Sequence, residues 1–150
     1  MKNIFLTLMV FGLAGCNNPL DPISYLACEQ EYQKNDRIYV MTDTKNKSVM
    51  IQFGNSMIEQ WDMFDTSYSN VSVTDNLVKF NYQFLAREKK YPDAEIIYKA
   101  TWNAEVDRYL MTLKIDGKRS SLVEFEGEIR ETPGETYQDI LQCKQMEKNL

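Results

Sequence analysis

Apolar and polar residues alternate with a period of two through most of this chain from Asp36 onward, which restricts the fold to one built from half-buried strands. Within residues 77–85, Val78, Phe80, Tyr82 and Phe84 share one face, while Lys79, Asn81 and Gln83 share the other. Residues 94–103 repeat the pattern with Ile96, Tyr98, Ala100 and Trp102, and residues 108–115 repeat it with Tyr109, Met111, Leu113 and Ile115. Residues 37–42 and 48–53, separated by the polar stretch 43–47, read as a hairpin, and 57–64 and 71–74 as shorter strands. Residues 87–93, charged and ending in Pro92-Asp93, read as an exposed loop. Asp116-Gly117 carries the hairpin signal of a type I′ turn, with residues 119–129 as the return strand and Val123, Phe125, Gly127 and Ile129 inward. Past Thr132-Pro133-Gly134, residues 135–147 follow a helical period through Tyr137, Ile140, Leu141 and Met146. The expected fold is therefore mainly β, a small antiparallel β-barrel or sandwich with a short C-terminal helix.

The first residues have a different logic. Lys2 precedes an apolar run from Ile4 to Leu13, and Leu13-Ala14-Gly15-Cys16 closes it. Ten residues of helix cover roughly 15 Å, about half of a bilayer core, too short for a span. The four-residue pattern resembles the lipobox of bacterial lipoproteins, in which a peptidase cuts before a cysteine whose sulfur carries diacylglycerol. That resemblance implies a signal peptide at 1–15, lipidation at Cys16, a tether at 16–24 broken by Pro19 and Pro22, and one β-rich domain at 25–150. Two or three acyl chains would hold such a domain firmly on a membrane. Asn17 stands where an aspartate favours inner-membrane retention, so the resemblance implies an outer-membrane anchor facing the periplasm, or the outer face of the cell membrane in a Gram-positive host.

With Cys16 used for lipid, Cys28 and Cys143 remain in an oxidising compartment, and a disulfide between them is expected. The chain has 22 acidic and 17 basic residues, one of the latter being Lys2, so the exported domain is more acidic still. Such a surface disfavours nucleic acid and suits a basic protein partner. With no histidine anywhere in the chain, histidine triads and histidine-ligated zinc are excluded. No nucleophile motif or glycine-rich phosphate loop stands out, so no catalytic residue, metal or cofactor is assigned.

Two groups are candidates for partner binding. Glu124, Glu126 and Glu128, at alternate positions, would stand on one outward face of a strand as an acidic stripe, able to meet a lysine- or arginine-rich partner or to be neutralised by cross-strand lysines. Trp61 and Phe64 would either tip a protruding loop or close the end of a barrel. The expected function is a noncatalytic binding or accessory module; the alternative is an inhibitor or immunity protein acting on an envelope-directed enzyme or phage. In design, the chain is similar to lipid-anchored lysozyme inhibitors, which are small β-barrels with a disulfide and an acidic surface. It lacks the Ser-Gly pair followed by tyrosine that their binding loop uses.

Overall fold

A computed structural model of the chain describes residues 21–30, 33–90 and 96–147. The signal segment, Cys16 and the first part of the tether lie outside the described residues. Nine strands and one short helix follow one another: β1 (Ile23–Gln30), β2 (Gln33–Asp43), β3 (Ser48–Phe53), α1 (Asn55–Gln60), β4 (Trp61–Val73), β5 (Leu77–Glu88), β6 (Ile96–Asp107), β7 (Thr112–Phe125), β8 (Glu128–Thr132) and β9 (Thr136–Gln145). All pairings are antiparallel, in the order β3-β2-β1-β9-β7-β6-β5-β4, with β8 paired to the last part of β7 ahead of β9. The result is a nearly closed up-and-down barrel of eight strands. Its remaining seam, between β3 and β4, is bridged where the Ile51 backbone N–H donates to the Tyr68 hydroxyl at 2.8 Å.

The period-two faces of β5 and β6 point largely as expected. Val78, Phe80, Tyr82, Phe84 and Ala86 of β5 are buried, as are Ala100, Trp102, Ala104 and Val106 of β6. Phe53, beside the seam, meets Phe84 at 5.2 Å, Trp102 at 5.7 Å and Tyr82 at 6.3 Å between ring centroids. Eight strands leave an interior that side chains can fill, and these rings fill much of it. The 43–47 turn is held by Asp43, whose carboxylate accepts from the N–H groups of Lys45 and Asn46. Those bonds to the Asn46 backbone and side chain keep the Asp43 carboxyl below its ordinary pKa.

The structure corrects four expectations. Residues 136–145 are strand β9, not a C-terminal helix, because Tyr137, Leu141 and Cys143 alternate toward the interior with Asp139 in the same phase. Ile140, part of the apparent helical stripe, is on the outside. β7 runs straight through Asp116-Gly117, and the hairpin comes instead at Glu126-Gly127, whose φ values of 53° and 80° suit a two-residue I′ turn. Residues 57–60 belong to α1, not to a strand. Tyr109 and Ile129, expected inward, are exposed: Tyr109 sits on the turn between β6 and β7, while its expected partners Leu113 and Ile115 are buried, and Ile129 lies on β8, past the turn that reverses the chain.

Cys28 and Cys143 are joined by a disulfide, as expected, between directly opposed residues of β1 and β9. Both are buried. The crosslink spans a separation of 115 residues, for which loop-closure entropy gives on the order of 4 to 5 kcal/mol. Replacing both cysteines with alanine should lower the unfolding free energy by about 2 to 5 kcal/mol in a denaturant titration, with the barrel signature retained in far-ultraviolet circular dichroism.

Candidate functional site

The two ends of the barrel differ in kind. At the end where β1 begins, the register brings together Ile23, the 43–47 turn, the Thr74–Asn76 turn and the Asp107–Thr112 turn. Arg108 plugs this end. It is 4% exposed, and it donates through Nε to the Ser24 hydroxyl at 2.8 Å, through Nη1 to the Asp75 carbonyl at 2.6 Å, and through Nη2 to the Asp21 carbonyl. Ser24 in turn meets the buried Thr42 hydroxyl at 2.9 Å. Burial lowers the guanidinium pKa and the carboxylates of Asp21 and Asp75 oppose that shift, so the group stays charged.

The opposite end is open. A cavity of about 380 Å³ enters the barrel there. Ile38, Trp102, Ile115 and Leu141 form its buried apolar floor, and Met57 of α1 and Tyr137 of β9 its walls. Asp36, Arg119, Glu135 and Asp139 stand around it, three carboxylates against one guanidinium. Arg119 Nη2 lies 3.8 Å from Glu135, an exposed pair, and Asp36 accepts from the Ser56 hydroxyl at 2.6 Å. The size and the mix of apolar floor and few polar groups are those of a ligand pocket in a barrel mouth.

One polar handle is built into the floor. Trp102 Nε1–H donates to the Tyr137 hydroxyl at 2.7 Å, leaving the phenol proton available to an acceptor in the cavity. Room for that ring comes from Gly117, directly opposite Tyr137 on β7; a Cβ there would lie 2.3 Å from Tyr137 Cζ. The Asp-Gly pair therefore serves packing, not turning. Burial raises the Tyr137 pKa above its usual value near 10, with Trp102 and Arg119 pulling it down and Asp139 pushing it up.

The sequence candidates fall elsewhere. Glu124 pairs through its backbone with Ile129, Glu126 occupies the I′ turn, and Glu128 opens β8 with its carboxylate 3.6 Å from Arg130. The expected stripe on a single strand is thus folded back on itself. Trp61 and Phe64 lie on β4 and not on a protruding loop. Trp61 packs edge-on against Tyr98 at 5.3 Å, and Phe64 lies under the Arg87 guanidinium at 5.8 Å. The cavity residues were missed, although they carried a signal: Asp36, Arg119 and Asp139 are charged positions in phase with the inward faces of β2, β7 and β9. Among the described residues, no group of three or more aspartate, glutamate or cysteine side chains is arranged to hold a metal ion.

Fold and cavity together define an up-and-down barrel with one plugged end and one open, net acidic mouth. Compared with known proteins, the chain matches no family model, no curated protein sequence and no solved structure.

Two outcomes test this geometry. Gly117→Ala should force the Tyr137 ring off Trp102, costing about 1 to 3 kcal/mol of stability and changing the tryptophan emission spectrum. A second test uses Tyr68, Tyr82 and Tyr137, whose pKa values burial raises, with the neighbouring Tyr68 adding to the shift at Tyr82. Above the ordinary tyrosine pKa the unfolded chain loses those protons while the folded one keeps them, so stability is full below about pH 10 and declines as pH rises further. A spectrophotometric titration should show part of the tyrosine ionising only together with unfolding.

Proposed function

We propose that this protein is a lipid-anchored, noncatalytic binding module of the bacterial envelope, exported through the 1–15 signal and held by Cys16. On this reading its barrel mouth receives a basic partner. The supporting observation is the cavity itself: an apolar floor of Ile38, Trp102, Ile115 and Leu141 beneath a surround in which carboxylates outnumber cations. That combination suits an arginine or lysine side chain, whose aliphatic stem packs on the floor while its charge meets Asp36 or Asp139. The Tyr137 hydroxyl adds a donor for a backbone carbonyl beside that side chain. Asn17 after the anchoring cysteine supports an outer-membrane address facing the periplasm.

A basic envelope-directed enzyme is one partner of this chemistry, and the acidic mouth is what favours the inhibitor form of the reading. The immobilised full chain should capture basic proteins from envelope extracts, with capture falling steeply as salt rises. Asp36→Asn with Asp139→Asn, which preserves shape while removing both charges, should weaken that capture roughly tenfold or more. Capture indifferent both to salt and to the double substitution would refute the assignment of the mouth.

A further inference from the structure

The turn between β6 and β7 exposes two consecutive large apolar residues, Tyr109 at 77% and Leu110 at 64%. Both backbone N–H groups behind them are satisfied, because the Asp107 carboxylate accepts from Tyr109 N at 2.9 Å and from Leu110 N at 2.7 Å. The tip can therefore leave water without stranding those two donors. The neighbouring Arg108 is bonded to the Asp21 carbonyl, so the tip stands beside the point where the chain arrives from its N-terminal segment. Only Asn17, Asn18, Pro19 and Leu20 separate Asp21 from Cys16. At no more than about 3.6 Å per residue, that stretch keeps Asp21 within roughly 20 Å of the anchored sulfur.

We propose that Tyr109 and Leu110 dip into the lipid interface beside the anchor, so that the protein stands on its plugged end with its open mouth turned away from the membrane. This inference rests on the lipid-anchor reading above. Leucine supplies apolar area, and tyrosine suits a headgroup boundary with its ring in hydrocarbon and its hydroxyl in water. The surroundings agree. Met146 donates its N–H to the Tyr25 carbonyl at 2.8 Å, and Met146 and Met50 are exposed on the outer wall near this end. Lys45 and Lys47, exposed on the adjacent 43–47 turn, suit anionic headgroups. Of the carboxylates at this end, Asp43 and Asp107 cap their own turns, Asp21 accepts from the Ile23 N–H at 3.0 Å, and Asp21 and Asp75 both face the charge of Arg108. By contrast, the exposed Ile129 stands alone between Glu128 and Arg130.

The test uses the full lipidated chain in vesicles of zwitterionic and anionic phospholipid, labelled with a polarity-sensitive fluorophore at Leu110→Cys or, as a control at the far end, at Glu126→Cys. The Leu110 label should be quenched several-fold more by a lipid-soluble nitroxide than by aqueous iodide, and the Glu126 label should show the reverse order. Equal access of iodide to both labels, on a chain that mass spectrometry shows to be lipidated, would overturn the orientation while leaving the anchor intact. A Leu110 label shielded from both quenchers, as a contact with a second copy would make it, would also overturn it. An unmodified Cys16 in the mass spectrum would remove the anchor and the orientation together.

Discussion

Closure of the barrel depends on the pairing of β1 with β9. Two meanders, β1 to β3 and β4 to β9, follow each other in the chain, and α1 and the thin seam between β3 and β4 are their other junctions. Four residue pairs from Leu26–Gln145 to Glu29–Gln142 join the meanders at the other side, with the Cys28–Cys143 bond inside that register. Antiparallel pairing of a chain's first and last strands carries a large loop-closure cost, because the partners meet only after nearly the whole domain is ordered. A covalent bond at that place removes much of the cost by restricting the unfolded chain. The aromatic cluster around Phe53 then works from the opposite side, holding β3 against β5 and β6 through ring contacts where backbone ladder bonds are few.

That closure gives the barrel two distinct ends. At one, a buried guanidinium is held by carbonyl and hydroxyl oxygens from two separate segments, which is a costly group to bury and one that tolerates little movement. At the other, charged residues occupy inward positions without filling the space, and the interior stays open. A plug at the end nearest the proposed anchor and a cavity at the end away from it suit a module that meets its partner in the aqueous compartment. The same arrangement would keep the lipid out of the cavity.

Much of the architecture was legible in the alternation of β5 and β6, because a strand with one face inside and one outside writes its period directly into the residue types. The hairpin at 43–47 was legible as well, since Asp43 and Asn46 make their own local bonds. Misreadings arose where an interior position carries an uncharacteristic residue. Asp139 on the inner face of β9 hid the strand and let Tyr137, Ile140 and Leu141 mimic a helix. Gly117 looked like a turn because glycine is the usual turn residue, yet its lack of a side chain serves the Tyr137 ring across the ladder. Alternate glutamates at 124, 126 and 128 looked like a stripe until the positive φ angles of Glu126 and Gly127 reversed the chain between them.

From the residues alone came the β class, the acidic balance, the pairing of the two remaining cysteines and the expectation of a lipid anchor, all of which rest on local patterns or on simple counting. Only the tertiary structure decided that Asp36, Trp102, Arg119, Tyr137 and Asp139, drawn from four strands, share one mouth, and that Arg108 closes the other end. The reason is physical: which inward positions meet depends on strand order and register, and those are set by closing the whole sheet on itself, a condition that no short stretch of sequence contains.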